Sequence, residues 1–211
     1  MRSADASTML RIGVILLAIY LVLIKINPII PIALLALAFI LDGVDGFLAL
    51  SEISRGKISL STYLNYSLGD KTNTKRIKAF KESIAKTAKH GPRFDVAADR
   101  IMEYSLWAVF TVVGIVPLFV LIIIIIRHSI ADAMLGAKGT SSKMKTGFAR
   151  ALYASNVSRG AINVLKFVTF AYLMLVYISA YPILPAYVLI GLLTTFIVVR
   201  GAAEVYESLK D

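Results

Sequence analysis

The chain has 211 residues, 58% of them hydrophobic and only 17% charged, with a formal net charge of +10. An ordinary soluble domain, with about a quarter of its residues charged, is excluded by that balance. The absence of cysteine excludes disulfides, thiolate catalysis and thiolate metal sites.

The apolar residues come in long runs, which predict an all-α integral membrane protein with six transmembrane helices. Taken in chain order, the helices are expected at Arg11–Ile26, Pro28–Leu50, Arg93–Gly114, Pro117–Leu135, Gly147–Ile178 and Ile183–Leu209. A span needs about 20 residues, so the first is short and the fifth extends beyond the bilayer. The first run carries no small-residue cleavage site and is expected to remain as a span.

The turns at Asn27-Pro28, Gly114–Pro117 and Tyr181–Pro185 are nearly uncharged, with only Lys25 close by. The opposite side collects Arg2, the stretch from Arg55 to Arg93, Lys138, Lys143, Lys145 and Lys210. Basic loops stay on the cytoplasmic side, so both termini are expected in the cytoplasm, in a cell (cytoplasmic) membrane. The same basic surface attracts anionic membrane lipids. Nucleic acid is not an expected partner, because the aromatic–basic interleaving of single-strand binders is missing.

Residues 1–211 thus read as a single membrane domain, with residues 51–90 as a basic cytoplasmic insertion between helices 2 and 3. Ile58 to Leu68 alternates weakly and is assigned to no element. Thr74 to Lys89 sets Ile77, Phe80, Ile84 and Ala88 on roughly one face and lysines and Arg76 over much of the remainder. This is the pattern of a basic amphipathic helix lying on anionic headgroups.

Four aspartates stand at the cytoplasmic ends of helices 2 and 3. Asp42 and Asp45 are three apart and Asp95 and Asp99 four apart, so each pair shares a helical face. Carboxylates at a membrane boundary are costly without a counter-charge. Together they call for one or two bound divalent cations. The competing reading is helix capping, or ion pairing with Arg93 and Arg100.

In full, the motif reads Asp42-Gly43-Val44-Asp45-Gly46-Phe47-Leu48-Ala49 and then Gly91-Pro92-Arg93-Phe94-Asp95-Val96-Ala97-Ala98-Asp99. It resembles the signature of the CDP-alcohol phosphotransferase family, the membrane enzymes of phospholipid synthesis, at seven of eight positions. The resemblance implies transfer of a phosphoalcohol from a CDP-lipid donor to the hydroxyl of a small acceptor, with release of CMP. It further implies two divalent ions, Mg2+ or Mn2+, held by Asp42, Asp45, Asp95 and Asp99. Asp99 would be the catalytic base, and Asp42, Gly46, Ala49, Gly91 and Asp95 would contact the CDP group. A homodimer is also implied by the resemblance. Two departures stand out: the signature arginine is Leu50 here, and the spacer, short in the family, runs from Ser51 to His90. Arg55, Lys89 and Arg93 are the candidates to replace the missing cation.

Arg127, His128 and Asp132 interrupt the fourth helix. By the same resemblance, Arg127, Arg150, Arg159 and Lys145, with Lys166 behind them, are candidates for a basic pocket holding a phosphorylated acceptor. The alternative is snorkelling to headgroups or pairing with Asp132 and Glu103. Arg200 and Glu204 are expected to pair with each other. Trp107 and Tyr104 are read as core or interfacial anchors. Two other functional classes compete: a catalytically impaired lipid- or nucleotide-binding scaffold, motivated by Leu50, and a cation-coupled transporter. The nearly uncharged outer halves of the helices argue against the transporter.

Overall fold

The computed structural model describes residues 3–54, 58–67, 77, 91–138 and 156–209. All elements described are helical: α1 (Ser3–Leu23), α2 (Ile29–Ser54), α3 (Leu60–Ser67), α4 (Gly91–Val112), α5 (Leu118–Lys138), α6 (Asn156–Ser179) and α7 (Ile183–Leu209). Among the described residues, four stretches are long and apolar enough to cross a membrane: Asp5–Leu23, Ile29–Glu52, Ser158–Ser179 and Ile183–Leu209. Large apolar side chains also point outward, among them Ile29, Ile40, Phe119, Val188 and Leu184, each more than half exposed. A surface of that kind suits lipid better than water.

One compact unit comprises Met1–Leu21 and Ile29–Glu103, the other Val22–Pro28 and Tyr104–Asp211. In the first unit, α1 starts at Ser3 rather than at the expected Arg11. Asp5 in its first turn complements the helix dipole, so the polar segment joins the helix. Arg11 thereby moves from an expected helix end to a position two turns inside. The helix α2 runs one turn past the expected Leu50.

The described residues of the insertion include a group that packs on α2. Ser59 caps α3, its hydroxyl accepting from the backbone N–H of Thr62 at 3.3 Å. Leu50, Ile58 and Ile77 are buried together, with Tyr63 and Tyr66 packed against them. Ile77, assigned to a lipid-facing stripe, is covered by protein; the rest of the 74–89 segment lies outside the described residues.

In the second unit, the turn after α1 carries Lys25 at φ 52°, its N–H bonded to the Val22 carbonyl at 2.9 Å. The Lys25 ammonium lies 4.7 Å from the centre of the Tyr177 ring. Gly114 ends α4 at φ 81°, a backbone state that costs glycine least. The N–H groups of Ile115 and Val116 both return to the Phe110 carbonyl at 3.0 Å, satisfying the helix end. Ala180 at φ 53° closes α6, and the Tyr172 hydroxyl donates to the Pro182 carbonyl at 2.9 Å.

The helix α7 packs on both α5 and α6. Trp107, fully buried, meets Phe170 edge-on at 5.1 Å, while Phe110 stacks on the same ring at 6.4 Å. Leu173, Met174, Leu193 and Ile197 of the same unit are buried as well. Trp107 is therefore a core residue.

Candidate functional site

The first unit brings three of the four aspartates together. One carboxylate oxygen from each of Asp42, Asp95 and Asp99 lies within 4.8 Å of the others. Their side chains are 34, 50 and 44% exposed, so the group opens outward. The spacing of four between Asp95 and Asp99 puts both on one face of α4, and α2 supplies the third.

Behind the carboxylates sits Arg11 of α1, whose side chain is fully buried. Its Nη1 donates to Asp42 Oδ1. Its Nη2 is 3.0 Å from Asp95 Oδ1 and 3.1 Å from Asp99 Oδ1. A buried guanidinium is tolerated only when charges of opposite sign and hydrogen bonds compensate its lost hydration. Three carboxylates do so here. The planar fork of arginine suits this task, because one group reaches several oxygens at once.

Asp45 takes a different partner. It is 6% exposed, and its Oδ2 accepts from the Thr8 hydroxyl at 3.0 Å. Its Oδ1 has no hydrogen-bond partner among the described residues. The two pairs share one register: Thr8 and Arg11 are three apart on α1, as Asp45 and Asp42 are on α2, and they meet in antiparallel order. Asp45 therefore stands beside the triad and does not complete it.

The remaining expected residues fall as follows. Gly46 lies on α2 under the ring of Tyr63, and a Cβ there would come within 2.5 Å of the Tyr63 hydroxyl. Phe47 holds the same ring at 5.8 Å. Ala49 precedes Leu50, which is fully exhausted by packing in the insertion's cluster. Gly91 begins α4. Glu103 is buried and 3.8 Å from Arg100. Arg55, Lys89, Lys145 and Arg150 lie outside the described residues.

Arg127, in the second unit, is only 10% exposed and spends its donors inside the helix packing. Its Nη2 is 3.0 Å from Glu204 Oε1, its Nε donates to the Ile197 carbonyl at 3.0 Å, and its Nη1 donates to His128 Nδ1 at 2.6 Å. Glu204 thus pairs with Arg127 of α5. Gly201 makes the approach possible, since a Cβ there would fall 2.7 Å from Arg127 Cγ and 2.9 Å from Cδ. Arg159 is exposed on α6.

Arg11, Thr8 and Tyr63 were not among the expected site residues. A signal for Arg11 existed: an ionisable residue within an apolar helix is a functional candidate by default. The polar stretch before Arg11 also reads as a helix start at that residue, which hides the signal. Tyr63 had no comparable signal, because its role depends on how the insertion folds back. In comparisons with known proteins, the chain matches no family model, no curated protein and no solved structure.

Proposed function

We propose that the chain is a membrane-embedded, metal-dependent CDP-alcohol phosphotransferase, acting on a CDP-lipid and a small alcohol acceptor at the cytoplasmic side. The observation that carries this reading is the convergence of Asp42, Asp95 and Asp99 from two helices around one cation-attracting point. Hard carboxylate oxygens favour Mg2+ or Mn2+. That a guanidinium already lies against these oxygens supports the view that the pocket suits positive charge.

In the reaction, the acceptor oxygen forms a bond to the phosphorus carrying the lipid alcohol. The bond from that phosphorus to the bridging diphosphate oxygen breaks, and its electron pair leaves on CMP. Asp99 takes the proton of the acceptor hydroxyl. A divalent ion, when bound, would supply charge neutralisation for the diphosphate and the leaving CMP. Asp42 and Asp95 would hold that ion together with Asp99, and Thr8 keeps Asp45 oriented beside them.

Purified protein offered CDP-diacylglycerol, or an ether counterpart, with a panel of alcohol acceptors is expected to release CMP only with Mg2+ or Mn2+. Asp99→Asn should abolish release. Release that survives both chelation and this substitution refutes the reading. A second reading, a binding scaffold without turnover, is favoured by one observation: the ion pairs of Arg11 partly neutralise the cluster without a metal. It predicts binding of CDP-lipid with no CMP released for any acceptor.

A further inference from the structure

None of the eight residues of α3 is charged, although the sequence around it is strongly basic. Arg55 and Lys57 precede it and Lys71, Lys75 and Arg76 follow, with Asp70 the only acid in that stretch. The short helix presents three different faces. Tyr63 and Tyr66, three apart, pack against the buried group of Leu50, Ile58 and Ile77. Leu60 and Leu64, four apart, share a second face and are 50 and 49% exposed. Ser61 and Asn65, each turned by about 100° from the leucine before it, form an exposed polar stripe.

The place of α3 along α2 decides what covers the leucines. The Tyr63 hydroxyl stands over Gly46, and its ring meets that of Phe47 at 5.8 Å. Both partners belong to Ile29–Glu52, a stretch long and apolar enough to cross a membrane. Gly46 precedes Glu52 by six residues, or about 9 Å of helix. The helix α3 is thus held beside the last turns of that span and not beyond them. Side chains facing outward at this level meet the boundary between acyl chains and headgroups. Tyrosine is enriched at such a boundary, and the basic residues on either side of α3 in the sequence suit anionic headgroups.

We infer that α3 is an interfacial anchor, with Leu60 and Leu64 entering the bilayer at the headgroup boundary and Ser61 and Asn65 facing water. A helix lying in the interface plane needs an apolar and a polar face, and here the third face is already covered by α2 and its neighbours. The inference stands on the membrane character of the chain and needs neither a metal nor the phosphotransferase reading. Its consequence is that the insertion is tied to the membrane near its start by apolar contact, in addition to the attraction of its basic residues.

The chain has no cysteine, so Leu64→Cys and Asn65→Cys each accept a single environment-sensitive NBD label at an exposed position of the full chain. In nanodiscs of phosphatidylcholine with phosphatidylglycerol, the label at position 64 should emit further to the blue than the label at position 65. It should be quenched by lipid bearing a nitroxide close to the headgroup and protected from aqueous iodide, with the reverse at position 65. Equal iodide quenching at both positions overturns the inference. Protection at position 64 from iodide and from the nitroxide lipid alike also overturns it, because a second copy or another part of the chain then covers the leucines. Leu60→Cys gives the same reading where labelling at position 64 prevents folding. CMP release plays no part in the readout, so failure of the enzyme reading leaves the result intact.

Discussion

Replacing Arg127 by alanine separates a structural from an acceptor-binding role for this side chain. Three donors of Arg127 end on Glu204, the Ile197 carbonyl and His128. Glu204 is 2% exposed, so removing Arg127 takes a charge partner from a carboxylate that has almost no water to solvate it. Breaking a buried ion pair in this way costs about 3–5 kcal/mol. Removing both charges together is far milder, because nothing charged is left behind; Arg127→Met combined with Glu204→Leu is expected within roughly 1–2 kcal/mol of the native protein. Gly201→Ala should mimic part of the loss. Its Cβ would press on Cγ and Cδ of Arg127, atoms close to the backbone that cannot swing away freely. Equilibrium unfolding in mixed micelles, followed by helical circular dichroism, measures all three variants. If Arg127→Ala costs below about 1 kcal/mol, an amount typical of an exposed pair, and instead raises only the KM for a phosphorylated acceptor, the structural assignment is wrong.

Two further outcomes follow from the first unit. Leu50→Arg restores the residue of the family signature, yet it places an unpaired charge among Leu50's partners Ile58 and Ile77; it should destabilise the insertion without raising activity, seen as faster proteolysis between residues 51 and 90, and a gain in CMP release would contradict this. Gly46→Ala sets a helix-propensity gain of about 1 kcal/mol against displacement of Tyr63 from Phe47, an aromatic contact worth roughly 0.5–1.5 kcal/mol. Alone it should be nearly neutral, but in a Tyr63→Ala background it should stabilise by about 1 kcal/mol. Equal effects in both backgrounds, read from thermal melts, would show that Tyr63 does not lie over Gly46.

The order and type of the long helices could be read from the chain, because helix periodicity and apolar run length are local properties, whereas α3, in a stretch assigned to no element, could not. Expected and observed bounds agree within a turn for Pro28–Leu50, Arg93–Gly114, Pro117–Leu135 and Ile183–Leu209. The pairing of Asp95 with Asp99 on one face was legible for the same reason. Which faces meet was not. That Arg11 lies against Asp42, Asp95 and Asp99, and Thr8 against Asp45, depends on the register between antiparallel helices, and no spacing within one helix encodes it. The burial of Leu50 beneath the insertion, and the capture of Arg127 by Glu204 through the gap at Gly201, are likewise consequences of packing. A charged side chain finds its partner only when distant segments close around it, since desolvation makes the pairing obligatory. The chain's pattern therefore settled where helices form and where acid groups gather, and the assembled fold settled which cation answers them.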